Sequence, residues 1–104
     1  MNNKSRIFLA GHKGLVGSAI LRLLKKKNYK NIITKPHNKL DLLDQKKTFN
    51  FLKKNKINVV IIAAAKVGGI KANNNFKAEF IYNNLQIQNN LIHGSYLAGI
   101  KDLL

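Results

Sequence analysis

Arg6-Ile7-Phe8-Leu9-Ala10-Gly11-His12-Lys13-Gly14-Leu15-Val16-Gly17 is the stretch on which the reading of this chain turns. Arg6 to Ala10, apolar from Ile7 onward and ending at a glycine, predicts a strand buried on both faces of a parallel sheet. Helical spacing follows at once, with Leu15, Val16, Ala19, Ile20, Leu23 and Leu24 forming one expected stripe. Lys25, Lys26 and Lys27 come at the end of that helix, where cations suit its dipole. Between strand and helix stand Gly11, Gly14 and Gly17, three residues apart. In a strand-turn-helix setting this pattern lets a backbone turn tightly, approach a phosphate closely and pack helix on strand, with the free N–H groups of the helix start facing an anion. The expected ligand is the pyrophosphate of a dinucleotide, held by Gly11, His12, Lys13, Gly14, Leu15, Val16 and Gly17.

Outward from this turn the same alternation repeats. Asn31-Ile32-Ile33-Thr34 predicts a second short strand halted before Pro36, and Asp44 opens a helix that carries Phe49 and Leu52 toward a core. Asn58-Val59-Val60-Ile61-Ile62-Ala63 predicts a third, β-branched strand. A glycine-bearing loop, Ala64 to Asn75, precedes a long helical pattern in which Phe80, Ile81, Leu85, Leu91 and Ile92 recur, ending near Gly99. Lys101-Asp102-Leu103-Leu104 then resembles the opening of a fourth strand, so the sequence is expected to continue beyond it. Strands alternating with helices imply an α/β, Rossmann-like doubly wound parallel sheet, here incomplete: about three strands, the start of a fourth, and three helices. The whole span 1–104 reads as the N-terminal part of one dinucleotide-binding domain, without a substrate domain. Ligands of such folds sit beyond the carboxyl ends of the strands, so the loops after Ala10, Thr34 and Ala63 are expected to carry the chemistry.

The loop after the second strand selects among dinucleotides. An NAD site places Asp or Glu about 20 residues after the glycines to accept hydrogen bonds from the ribose 2′-hydroxyl. Here the positions hold Lys35, Pro36, His37, Asn38 and Lys39, and Lys13 adds a cation from the glycine turn. Missing repulsion and present attraction both favour a 2′-phosphate, hence NADP(H), with Lys35 and His37 as its candidate partners. Asp41 and Leu42 follow as candidate adenine contacts, although a turn or helix-entry role serves Asp41 equally well. Ala63, Ala64 and Ala65 end the third strand with side chains small enough for a nicotinamide ribose to approach.

Composition bounds the remaining classes. At 104 residues there is room for one small domain, within the usual range of about 50–250 residues. No apolar run is long enough to span a bilayer, no signal-peptide pattern opens the chain, and there is no cysteine, so a cytoplasmic protein without membrane partners is expected. The three histidines show no metal-ligand spacing. A net charge of +15 would suit a nucleic-acid partner, but the excess is lysine spread over helix faces without interleaved aromatics. No nucleic-acid partner is therefore expected, biased codon usage or acidic sequence elsewhere in the protein accounting for the imbalance. A free-standing nucleotide-binding or nucleic-acid-binding module using the basic surface is the alternative from another class, polyelectrolyte binding being distinguishable by a steep salt dependence.

The G-x-x-G-x-x-G spacing resembles the extended short-chain dehydrogenase/reductase superfamily. More specific is the wording of four segments: Gly11-His12-Lys13-Gly14-Leu15-Val16-Gly17-Ser18, Leu40-Asp41-Leu42-Leu43-Asp44, Ala63-Ala64-Ala65-Lys66-Val67-Gly68-Gly69-Ile70, and Asn73-Asn74 ahead of Phe80-Ile81-Tyr82-Asn83-Asn84. Together, from about Arg6 to Leu104, they closely resemble the GDP-L-fucose synthase family. That resemblance implies an NADPH-dependent enzyme that epimerises C3 and C5 of GDP-4-keto-6-deoxy-D-mannose and reduces its C4 ketone, and a homodimer formed through helices on one sheet face. It also implies a catalytic Ser and a Tyr-x-x-x-Lys pair, expected beyond Leu104. Tyr29, Tyr82 and Tyr96 are followed four residues later by Ile33, Gln86 and Ile100, so no catalytic residue is assigned within this chain. Lys66 is read as facing either substrate or solvent, and His12 and His93 as having structural side chains. Another nucleotide-sugar epimerase or dehydratase of the superfamily is the alternative.

Overall fold

A computed structural model describes residues 1–64 and 77–104. The loop expectations for Ala65, Lys66, Gly68, Gly69, Asn73 and Asn74 lie outside the described residues. Four parallel strands form one sheet in the order β2-β1-β3-β4: β1 Ile7–Ala10, β2 Ile32–Ile33, β3 Val59–Ile62 and β4 Asp102–Leu103. Three helices are described, α1 Leu15–Lys26, α2 Gln45–Lys54 and α3 Lys77–Leu97. This is the Rossmann-like α/β architecture expected from the alternation of strands and helices.

The central strands are apolar at every position because both faces of the sheet are covered. Successive side chains of a strand point to opposite faces, and the core divides accordingly. Ile7 and Leu9 of β1 and Val59 and Ile61 of β3 pack with Leu24, Ile20 and Leu21 of α1. Phe8 and Ala10, with Val60, face the other way and pack with Leu52 of α2 and Ile87 and Leu91 of α3. β1 and β3 pair in strict register from Ile7–Val59 to Ala10–Ile62, so a one-residue slip would exchange the two faces.

The helix ends follow from their sequence. Asp44 caps α2 by accepting a hydrogen bond from the Lys47 backbone N–H at 3.0 Å, and Asn55 closes it with its amide on the Phe51 carbonyl oxygen. α1 is capped differently: Gly14 occupies the N-cap without a side chain, and its first turn has no acidic residue. α3 ends in a left-handed Gly99, with the Ile100 N–H returning to the Ser95 carbonyl oxygen.

Two apolar stripes differ from their sequence expectation. On α1 the buried line runs through Gly17, Ile20, Leu21 and Leu24, while Leu15, Val16 and Leu23 are exposed. On α3 it runs through Ile87, Asn90, Leu91, Gly94 and Ser95, while Ile81, Leu85 and Ile92 are exposed. The physical reason on α3 is close helix packing. Gly94 meets α2 where a Cβ would come within 2.8 Å of Phe49 and 2.9 Å of Leu52, which turns this edge of the helix inward and the larger apolar residues outward. Periodicity identified the helix but not which of its two apolar edges is buried.

Leu52 is 1% exposed and joins α2, α3 and the sheet in one cluster. Leu52→Ala is expected to lower stability by about 2–5 kcal/mol, read as a lower urea midpoint with an unchanged slope.

Candidate functional site

The site is built on the carboxyl ends of β1 and β2. After Ala10 the backbone turns through Gly11, whose φ of +88° is left-handed and whose missing Cβ would stand 2.6 Å from the backbone of Ala63 and Ala64. The Gly14 N–H then donates to the Gly11 carbonyl oxygen at 3.2 Å, closing the turn. One helical turn later Gly17 lies against the same peptide. A Cβ there would collide with the Gly11 carbonyl oxygen and lie 2.6 Å from its carbonyl carbon. Gly11 and Gly17 are therefore required by the fold itself.

Gly14 is not. Its φ of −74° and ψ of 172° suit any residue, and among the described residues an added Cβ would meet only the Gly11 carbonyl oxygen, at an ordinary 3.6 Å. Neither conformation nor packing among the described residues asks for glycine there. Gly14 instead borders open space at the start of α1, where the N-cap makes no side-chain hydrogen bond and the dipole is positive.

That space opens into a cavity of about 220 Å³. It is smaller than the ~300–1,000 Å³ of sites that enclose a whole small ligand, and so suits one part of a larger one. Gly11, His12, Lys13 and Gly14 form one wall, and Lys35, Pro36 and His37 another. Leu40 to Leu43 and Ile87 of α3 complete the lining. Two loops separated in sequence are thus brought together as expected, and Asp41 and Leu42 stand in the same cavity. Leu15 and Val16 do not line it; they are exposed on the first turn of α1, at 88% and 62%. Gly17 is buried beneath the turn. Ala63 and Ala64 lie beside Gly11, with the Ala63 N–H on the Ala10 carbonyl oxygen.

The rim is basic. Lys13 and Lys35 supply its cations and His37 adds an imidazole, while Asp41 is the one carboxylate in the described cavity wall. Asp41 accepts a hydrogen bond from the Leu43 backbone N–H at 3.0 Å and lies 3.8 Å from His37 Nδ1. Its turn role is therefore observed, and its acceptor capacity is partly used. The Lys35 ammonium sits 6.0 Å from the centroid of the Phe51 ring, which in turn rests on Phe8 at 4.7 Å. Sequence reasoning missed Ile87 and Asn90. Ile87 is a cavity wall, and the Asn90 side-chain amide donates to the Leu42 carbonyl oxygen at 2.8 Å. The available signal was an asparagine on the buried edge of a helix, beside Leu91 and Gly94.

A Rossmann-like sheet with a glycine turn at the start of its first helix defines a dinucleotide-binding class of domain. The chain belongs to the NAD dependent epimerase/dehydratase family, whose model matches residues 7–104. It is similar to GDP-L-fucose synthase 1 of Arabidopsis thaliana, with 52% identity over 105 residues, covering 100% of this chain and 32% of that protein. GDP-L-fucose synthase of Escherichia coli (strain K12) is 42% identical over 102 residues, covering 98% and 32%. Among solved structures, the GDP-mannoheptose C4 reductase MlghC of Campylobacter jejuni, with NADP bound, superposes with a TM-score of 0.93 at 41% identity over 99% of this chain and 30% of that one. The chain thus spans about a third of the length of these relatives.

The contrast between glycines is testable. Gly14→Ala is expected to lower the thermal midpoint only slightly, by the loss of a favoured N-cap residue, while weakening dinucleotide binding by tenfold or more, about 1.4 kcal/mol. Gly17→Ala is expected to lower the midpoint as well, because two backbone segments must separate.

Proposed function

We propose that these residues are the N-terminal cofactor-binding part of an NADPH-dependent enzyme that converts GDP-4-keto-6-deoxy-D-mannose to GDP-L-fucose. The observation that carries the reading is Gly14: a glycine that the described packing does not need, at the uncapped start of a helix, facing a cavity with a basic rim. In this reading Gly11 to Gly17 hold the pyrophosphate, with first-turn N–H groups as donors. His12 contributes through its backbone, and Leu15 and Val16 cover the cofactor from the exposed first turn of α1. Lys13, Lys35 and His37 hold the 2′-phosphate. Asp41 and Leu42 border the adenine, and Ala63, Ala64 and Ala65 border the nicotinamide ribose. When bound, NADPH supplies the hydride that reduces the C4 ketone to an alcohol. The Ser and Tyr-x-x-x-Lys that hold and protonate the ketone oxygen belong to sequence beyond Leu104, and residues 1–104 alone are inactive.

The basic set supports NADP(H) over NAD(H), because the added 2′-phosphate brings up to two further negative charges to a rim with three basic side chains. Similarity to relatives named GDP-L-fucose synthase supports the substrate. A homodimer fits the reading: the exposed Ile81, Leu85, Ile92 and Tyr96 share one stripe of α3, as a subunit contact requires. A second reading, reduction at C4 of a GDP-linked heptose, is favoured by the likeness to MlghC.

The test is turnover by the protein expressed from its complete reading frame. GDP-4-keto-6-deoxy-D-mannose with NADPH should give GDP-L-fucose, and turnover only of a GDP-4-keto-heptose would select the second reading. Lys35→Ala should raise the KM for NADPH by about five- to fiftyfold, as loss of a charge-assisted contact worth roughly 1–2.5 kcal/mol, and leave the KM for NADH within about twofold. Tighter binding of NADH than NADPH by the unaltered protein would refute the cofactor assignment.

A further inference from the structure

The cavity wall opposite the glycine turn has no regular secondary structure of its own. Leu40 to Leu43 run between Pro36 and the cap of α2 as turns, and a segment of that kind needs something to hold it. The Asn90 side chain supplies a tie from a distant element. Asn90 lies in the middle of α3, is 1% exposed, and occupies a position on the buried edge between Ile87 and Leu91 where an apolar residue would ordinarily pack. Burying a carboxamide there costs free energy unless its groups are paired. They are paired: Nδ2 donates to the Leu42 carbonyl oxygen at 2.8 Å, 48 residues away in sequence, and Oδ1 accepts from Gln86 Nε2 at 3.3 Å. One turn earlier on the same edge, Ile87 forms part of the cavity surface itself.

We infer that Asn90 is a positioning residue for the adenosine end of the site, fixing the Asp41–Leu43 wall at the distance from the glycine turn that an adenine ring requires. The inference rests on the reading that this cavity takes the adenosine 2′-phosphate end of NADP(H), and it adds a residue that touches no ligand. Leu42 carries the wall, Asn90 holds its carbonyl, and Gln86 pairs the other end of the Asn90 amide; an amide turned over would set Oδ1 against the Leu42 carbonyl oxygen and Nδ2 against the Gln86 Nε2 donor. Asn90→Asp keeps the shape and volume of the side chain but replaces the donor with an acceptor, so the wall loses its tie and faces a repelling charge.

The experiment measures binding of 2′,5′-ADP, by calorimetry, to the protein expressed from its complete reading frame. Asn90→Asp should weaken binding at least about fivefold, the lower bound for a lost buried hydrogen bond. The kinetic counterpart is a raised KM for NADPH with kcat at saturation preserved, a split that general loss of stability would not produce. Should Asn90→Asp not fold, Gln86→Leu removes the partner of the Asn90 Oδ1, loosens the hold of the amide on Leu42, and should weaken 2′,5′-ADP in the same direction by a smaller factor. Unchanged affinity in the folded Asn90→Asp protein, or in Gln86→Leu where only that variant folds, overturns the role of Asn90 and leaves the cofactor reading standing. Absence of 2′,5′-ADP binding by the unaltered protein overturns both.

Discussion

The contact between Gly17 and the Gly11 peptide is the constraint from which the rest of the site follows. It brings the start of α1 onto the end of β1 at a separation no side chain tolerates, and so fixes where the helix axis begins and where its free N–H groups aim. Leu24, Leu21 and Ile20 keep the remainder of the helix down on Ile7, Leu9, Val59 and Ile61, so the orientation set at the turn is held over the full helix length. A looser contact would still give a βα unit. It would not give donors converging on one point in front of the sheet.

The opposite face of the sheet does different work. There Phe8 and Val60 meet α2 and α3, and the two helices approach each other closely enough that Gly94 is enclosed by Phe49 and Leu52. This approach brings Ile87 and Asn90 under the loop that leaves β2. The cavity is therefore a joint product of both layers: one supplies the glycine turn and the helix dipole, the other supplies the floor and the tie to Leu42. Two buried hydroxyls on this side, Thr48 Oγ1 and Ser95 Oγ, have no hydrogen-bond partner among the described residues, and they sit in the helix layer away from the cavity lining.

Much of this was legible in the sequence because it is local. A continuous apolar run, a glycine and a 3.6-residue period identify β1, the turn and α1 without tertiary information, and Asp44 announces α2 through a cap that spans only three residues. The meeting of the loops after β1 and β2 was also legible, since parallel strands must present their carboxyl ends on one side. What was not legible depends on which edge of a helix meets its neighbours. Leu15, Val16 and Leu23 on α1, and Ile81, Leu85 and Ile92 on α3, satisfy the period as well as the residues that are buried, and only packing chooses between them. Asn90 was missed for the related reason that its partner lies 48 residues away. Asp41 was readable as a turn residue or as a ligand contact, and its bond to the Leu43 N–H places it in the turn while leaving it in the cavity wall.

The charge of the chain illustrates why a site must be read locally. A net charge of +15 by itself predicts diffuse attraction for any polyanion, weakening as salt screens it. The cavity is more selective than that. Of the four acidic residues in the chain, Asp44 caps α2 with the Lys47 N–H and Asp41, in the cavity wall, accepts from the Leu43 N–H, so each of these two carboxylates holds a backbone donor. Lys13, Lys35 and His37 then face a space that has directional N–H donors on one side and an apolar floor of Leu40 and Ile87 on the other. Phosphate oxygens can satisfy the first set and a planar aromatic base the second, whereas an extended polyanion satisfies only the cations. In the proposed reading, specificity for a phosphorylated nucleoside comes from where these few groups converge, and lysines elsewhere on the surface do not supply it.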